Sequence, residues 1–307
     1  MTSTLLTCTS SSRPTSPSAG DTLFETDTNK IIVYDGSVWK LYNSDDAVGY
    51  NLDGTNITSV APLFHFDAEK INGTDATGNP SNAASFTGQW TSRVNGTTTA
   101  VQSTATAQPT FYTSGGENSK AYLSFDGGDF LYLTKRAYFN GDFTFMVISK
   151  GLDSLSSMSP LGANGSELNP LDNNNFSLGG AGPFSGRKND YLMFYSDAGS
   201  GYSSAGSFPA GKDWYSQTRN LIFKRESGTA KLFWDGDNEG SVASSTSLVD
   251  IRVGVLGKTN WSTVIGNIYE IIAFESALST ADLNIWNAYV TAKYAAGTGA
   301  METQDNF

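Results

Sequence analysis

Carboxylates are the first residues in this chain whose type and spacing could do chemistry. Hydrolysis of a glycosidic bond needs two of them at a defined separation, one as acid and one as nucleophile or base. Along an extended strand only residues an even number apart share a face. Glu270 and Glu275 are the best local pair, and their odd offset sets them on opposite faces. Asp126 and Asp129 flank Gly127-Gly128. There they either help to ligate a structural calcium ion, with Asp67 or Asp235 as further acids, or bond the backbone of their own turn. His65 is the one histidine and sits in the apolar run Phe64-His65-Phe66. With no nucleophile-elbow motif in the chain, it reads as a hydrogen-bonded strand histidine rather than a catalytic base. Gly179-Gly180-Ala181-Gly182 lacks the Lys-Ser/Thr of a phosphate loop and reads as a plain loop. The remaining candidates are aromatic. Tyr202, Trp214, Tyr215 and Trp261 lie in Gly/Ser/Asn-rich segments. A ring there either stacks on a sugar beside polar groups or anchors its own loop.

The elements that must position these residues are mostly strands. Leu63–Asp67, Ala121–Phe125, Phe130–Leu133, Phe143–Ile148 and Tyr191–Tyr195 are short apolar or alternating runs bounded by turn residues. Leu221–Arg225 and Ala230–Trp234 form a hairpin around Ser227-Gly228-Thr229, and Ile251–Leu256 and Ile268–Phe274 complete the set. Many strands with almost no helix predict a sandwich. One helix is signalled after them. Ser279 is its N-cap, Asp282 completes a short capping box, and Leu278 with Leu283 can form a hydrophobic staple. Leu283, Trp286, Val290 and Tyr294 share the face that should pack on the sandwich, and Gly297 suits the end.

Upstream, residues 1–20 are rich in Ser and Thr, an arm that is flexible or held by a partner. Residues 21–42 read as a three-stranded β-meander, Thr22–Thr26, Lys30–Tyr34 and Val38–Tyr42, too small to stand alone. Residues 43–60 read as a linker, 61–296 as the sandwich and 297–307 as a C-terminal tail.

Composition sets the outer bounds. With 307 residues, 38% hydrophobic and 12% aromatic, the chain can build a large core. A net charge of −11 argues against binding to nucleic acid phosphates, which rests on Lys and Arg. The one cysteine, Cys8, rules out a disulfide framework within the chain. No run is long enough to enter a membrane, and no secretory signal is visible, so release by lysis is the expected route to the outside.

Two resemblances refine this. Arg13-Pro14-Thr15-Ser16-Pro17, Gly20-Asp21, Thr26-Asp27-Thr28-Asn29-Lys30, Tyr34-Asp35-Gly36 and Trp39 resemble a module of bacteriophage tail-fibre and other virion proteins. Its implied attachment residues are Arg13, Pro14, Pro17, Tyr34 and Trp39. Leu123–Leu131, Phe233-Trp234-Asp235-Gly236 and Gly266–Phe274 running into Ala277–Asp282 resemble concanavalin A-like, laminin-G-like domains. That family implies an all-β, two-sheet antiparallel jelly-roll sandwich, here with one C-terminal helix and a preceding β-meander. It binds carbohydrate, protein or structural calcium, and it contains hydrolases whose acids alternate along one strand. Ile272 and Phe274 stand where such acids would be. The chain is therefore expected not to be an enzyme. The expected role is a virion-surface component, on tail or capsid, with other virion proteins as partners. It is expected to assemble as a homo-oligomer, a trimer by analogy with fibres, and to display the sandwich to host-surface glycan. The alternatives are a cellular, extracellular carbohydrate-binding or adhesion module and a glycoside hydrolase.

Overall fold

A computed structural model describes residues 6–18, 21–26, 30–34, 36–37, 39–41, 50–52, 56–58, 60–73, 79–81, 85–94, 98–139, 141–152, 158–162, 176–180, 191–196, 202–207, 217–243, 251–257 and 263–294. The chain divides into two compact units, Met1–Tyr50 with Ser59–Ala61, and Asn51–Thr58 with Pro62–Phe307.

The first unit holds one sheet of β1 (Leu6–Cys8), β2 (Thr22–Glu25), β3 (Lys30–Tyr34) and β4 (Trp39–Leu41), in that order. Its last three strands are the expected meander. The arm contributes the fourth, because Leu6–Cys8 runs parallel to Leu23–Glu25. Leu23 and Ile32, paired across the strands, are its buried core.

Within the expected linker, β5 (Tyr50–Leu52) and β6 (Asn56–Thr58) pair as a two-stranded ribbon. The strands of the sandwich follow. They are β7 (Phe64–Asp67), β8 (Gln89–Thr91), β9 (Thr99–Val101), β10 (Thr110–Tyr112), β11 (Tyr122–Asp126), β12 (Leu131–Phe139), β13 (Phe143–Gly151) and β14 (Met158–Gly162). After these come β15 (Phe176–Gly180), β16 (Tyr191–Ser196), β17 (Tyr202–Ser207), β18 (Arg219–Glu226), β19 (Thr229–Trp234), β20 (Asp237–Ala243), β21 (Ile251–Leu256) and β22 (Ile265–Phe274). One sheet has the order β10-β11-β22-β13-β18-β19-β20, with β7 also paired to β22; the other runs β17-β16-β15-β14-β21-β12-β9-β8. The architecture is thus the expected two-sheet antiparallel sandwich. Its core is aromatic-rich, with Phe64, Phe66, Phe125, Phe145 and Trp234 from one sheet facing Trp90, Leu131, Phe139 and Leu256 from the other.

Helix α1 (Thr280–Tyr294) closes the fold. Ser279 and Asp282 cap it reciprocally. The Asp282 carboxylate accepts from the Ser279 hydroxyl at 2.6 Å, and Ser279 Oγ accepts from the Asp282 N–H at 3.1 Å. Leu278, Leu283, Trp286, Val290 and Tyr294 are all buried, as the periodicity predicts. The Trp286 indole donates to Asn220 Oδ1 at 2.8 Å, which fixes the helix to β18 and makes this tryptophan a core residue. Gly297 lies outside the described residues. No helix among the described residues is long and apolar enough to cross a membrane.

The turn after β21 shows how tightly the layers meet. Gly257 has φ +85°, and a Cβ there would overlap the Phe125 ring. Gly257→Ala therefore combines left-handed strain with overpacking. It should cost roughly 1–3 kcal/mol, read as a lower urea midpoint at unchanged slope. An unchanged midpoint would contradict this account of the turn.

Candidate functional site

Strand alternation builds a concavity on the outer face of β8, β9 and β12. Trp90, Ala100 and Leu133 form one cross-strand row on β8, β9 and β12, and all three point into the core. Their neighbours Gln89, Val101 and Tyr132 form the next row and, by the strand period, point outward. Segments leaving these strands raise the walls. Gly88 at φ +75° lets its carbonyl accept from the Gln102 N–H at 2.8 Å, where a side chain would strike Gln102 and Gln108. Gln102 Oε1 accepts from the Thr104 N–H at 2.9 Å, and Gln108 Nε2 donates to the Gln102 carbonyl at 2.6 Å. Phe130 and Tyr132 stand edge to face, centroids 4.9 Å apart at 81°. The result is a groove of about 530 Å³ walled by Thr87, Gln89, Gln102, Ser103, Thr104, Phe130 and Tyr132. A second groove of about 480 Å³, walled by Asn72, Asn79, Ser81, Phe86 and Thr91, shares Thr87 and Gln89 with it. Hydroxyls, amides and half-exposed rings are the groups that hydrogen-bond and stack on sugars.

A different cluster lies beneath the helix. Opposite the junction of Ile148 and Ser149, β22 carries a bulge at Tyr269. A bulge lets residues an odd number apart share a face, so Ile268 and Ile271 both join the core, while Tyr269 and Glu270 both meet the helix residue Tyr294. Directly across from Glu270 stands Asp67, and two residues earlier on β7 stands His65. All three are fully buried. Lys293 Nζ donates to Glu270 Oε1 at 2.6 Å, to Asp67 Oδ2 at 3.0 Å and to the Tyr289 hydroxyl at 2.8 Å. The Tyr289 and Tyr294 hydroxyls donate to Glu270 Oε1, and His65 Nε2 lies 2.8 Å from Glu270 Oε2. Arg93 Nη1 reaches Asp67 Oδ2 at 3.3 Å.

Among the described residues, His65, Asp67 and Glu270 are the one set of three metal-ligating side chains within reach of a shared ion. The Lys293 ammonium already bonds both carboxylates, so a cation of the chain itself fills that position. The cluster is closed to solvent and acts as a lock. Burial pushes the Glu270 carboxyl up, but Lys293 and His65 outweigh it and hold the group well below the usual carboxylate range. Asp67 goes the other way. Burial and then the Glu270 charge raise it, and Lys293, His65 and Arg93 offset them only in part.

His65 is thus the hydrogen-bonded strand histidine expected. Glu270 is buried on β22, while Glu275 is exposed beyond the end of that strand, where strand alternation no longer sets its face. The Asp126–Asp129 pair is engaged by its own turn. Asp126 Oδ1 accepts from the Gly128 N–H at 2.7 Å, and Asp129 Oδ2 accepts from the Asp126 N–H at 3.0 Å. Burial, with the charge of Asp126, raises the Asp129 carboxyl to about 6. Among the described residues no third acid joins them, and Asp235 instead binds Arg219 at 2.7 Å. Tyr202 opens β17, while Trp214, Tyr215 and Trp261 lie outside the described residues. Arg13 and Pro14 are exposed, Pro17 is half-buried, and the half-buried Tyr34 and Trp39 pack on each other at 5.4 Å. Sequence reasoning missed Gln89, Gln102 and Thr104, which carry no motif. It found the strand of Phe130 and Tyr132 without assigning the rings a role. It also missed the Asp67–Glu270 pair, because it looked for acids along one strand rather than across two.

No family model and no curated protein matches the chain. Solved structures similar to it include domain 4 of AbnA, a GH43 extracellular arabinanase from Geobacillus stearothermophilus, in complex with arabinotriose. That match has 17% identity over 76% of this chain and 98% of the other, with a TM-score of 0.48. A Trypanosoma rangeli sialidase in complex with the inhibitor DANA is 11% identical over 87% of this chain and 43% of that one, TM-score 0.45. The CBM40 of a Ruminococcus gnavus IT-sialidase, bound to α2,6 sialyllactose, is 16% identical over 49% and 84%, TM-score 0.37. The chain spans less than half the length of the Trypanosoma sialidase. These similarities correct one expectation. With an arabinanase domain and a sialidase among the similar structures, the reading of the chain as not an enzyme does not stand.

The lock makes a signed prediction. Glu270, with a depressed folded pKa, contributes stability that is present above its unfolded value of 4.5 and is lost as the pH falls below it. Asp67, with a raised one, costs stability at neutral pH, and the cost is relieved as the pH falls through its folded value. Lys293→Met removes the shared cation and leaves two buried acids facing each other. The expected loss is about 3–5 kcal/mol at neutral pH. It should shrink between pH 7 and pH 5 as the raised carboxyls take up protons, on the order of one unit of pKa per 1.4 kcal/mol. Denaturant titrations at both pH values check this, and an equal deficit at each would refute it.

Proposed function

We propose that the sandwich binds carbohydrate in the groove beside β8, β9 and β12. The observation that carries the proposal is the groove wall itself. Two half-exposed rings, Phe130 and Tyr132, stand at right angles beside the exposed Gln89 amide and the exposed hydroxyls of Ser103 and Thr104. A sugar offers apolar C–H faces to rings and hydroxyls to amides, and both sets are present on one wall. The full chain should be retarded on immobilised polysaccharide in affinity electrophoresis. Tyr132→Ala, checked for folding by circular dichroism, should weaken binding about tenfold through loss of ring contact. Retardation unaffected by that substitution would remove this groove from the function.

We also propose that the N-terminal unit attaches the chain to a bacteriophage particle, which displays the sandwich to host-surface glycan. The proposal is supported by the compactness of this unit, whose arm strand is tied into the meander, and by the sequence order of Arg13, Pro14, Pro17, Tyr34 and Trp39. A cellular carbohydrate-binding module is the other setting for the same groove. Mass spectrometry of purified particles should detect the chain at structural stoichiometry; particles lacking it would leave the cellular setting.

A further inference from the structure

The chemistry of the groove narrows the class of carbohydrate, and this inference rests on the binding reading above. None of the described residues lining either groove carries a charge. A sugar acid, whether sialic, uronic or sulfated, presents an anion that binding sites meet with Arg, Lys or a helix N-terminus. Lys135 is on the same strand as Tyr132 but does not line the groove. A chain with a net charge of −11 also repels anions at a distance.

Length follows from the shared wall. Each groove is within the range of about 300–1,000 Å³ that holds a small ligand. Thr87 and Gln89 line both, so the two grooves adjoin along one wall. At one end stand the half-exposed Phe130 and Tyr132; at the other stand Asn72, Asn79, Pro80 and Ser81 over the buried Ile71 and Phe86. A single sugar unit would use one end only. We infer that the site takes an uncharged oligosaccharide of several units, laid across Gln89 from the Tyr132 end to the Phe86 end.

The test is an array of neutral oligosaccharide ladders, from disaccharide to octasaccharide, of glucans, galactans, arabinans and fructans. Each ladder is printed beside its uronic, sulfated or sialylated counterpart, and hits are titrated calorimetrically with the full chain. Binding should be confined to neutral ladders and should tighten with length before reaching a plateau. Gln89→Ala, at an exposed position on the shared wall, should lower the affinity for the longest oligomer about tenfold and that for the disaccharide less, so that the gain in affinity with length shrinks. Thr87→Ala, also exposed, tests the same wall should Gln89→Ala fold poorly. Equal binding of charged counterparts overturns the neutral specificity, and an affinity independent of length overturns the extended site; either leaves carbohydrate binding standing. No binding to any ladder overturns the binding reading itself, and this inference with it.

Discussion

A single ammonium group, that of Lys293, organises the closed end of the sandwich. Two carboxylates, Asp67 on β7 and Glu270 on β22, face each other across the sheet without access to water. Like charges so placed cannot both stay ionised without a counter-charge. Lys293 supplies it from the last turn of α1, and the Tyr289 and Tyr294 hydroxyls satisfy the remaining lone pairs. The helix is therefore held to the sheet at both ends. The Ser279 cap and Thr144, whose hydroxyl accepts from the Leu278 N–H, fix its start, and the ionic cluster fixes its finish. Buried ion pairs of this kind add less to stability than their number suggests, because burial offsets much of the attraction. What they do fix is placement, since each partner is costly anywhere else.

The same cluster reaches the groove. Asp67 accepts from Arg93 through its carboxylate and from the Trp90 indole through its backbone carbonyl, at 3.3 and 3.1 Å. The backbone adds two further ties. The Arg93 N–H donates to the His65 carbonyl, and the Thr91 N–H donates to the Ile71 carbonyl, both at 2.8 Å. Strand β8 and the residues just after it are thus pinned at Trp90, Thr91 and Arg93 to β7 and the turn that follows it. Gln89 is its outward-facing residue at the shared wall of the two grooves. A three-residue edge strand gains little rigidity from its own ladder, so these ties set how firmly the wall is held.

Local chemistry carried far along this chain. Apolar alternation located β11, β13, β16, β18, β19, β21 and β22, and the Ser279–Asp282 pair located the start of α1. Shorter or plainer strands escaped for a physical reason. Gln89–Thr91 and Thr99–Val101 have three residues each, and Phe176–Gly180 and Tyr202–Ser207 are rich in Gly and Ser. Such segments have weak intrinsic strand preference and are held as strands by their neighbours.

Residue order alone therefore determined the all-β class, the turn positions and the capped helix with its buried face. All of these depend on groups within a few residues of one another. Tertiary structure decided which distant residues meet. The bulge at Tyr269 and the register of β7 on β22 bring Asp67, Glu270 and Lys293 together across more than 200 residues. The pairing of β8, β9 and β12 brings Gln89 level with Tyr132. Register is a property of the assembled sheet, set by how its buried face packs, so neither the lock nor the groove is written in any local run of the sequence.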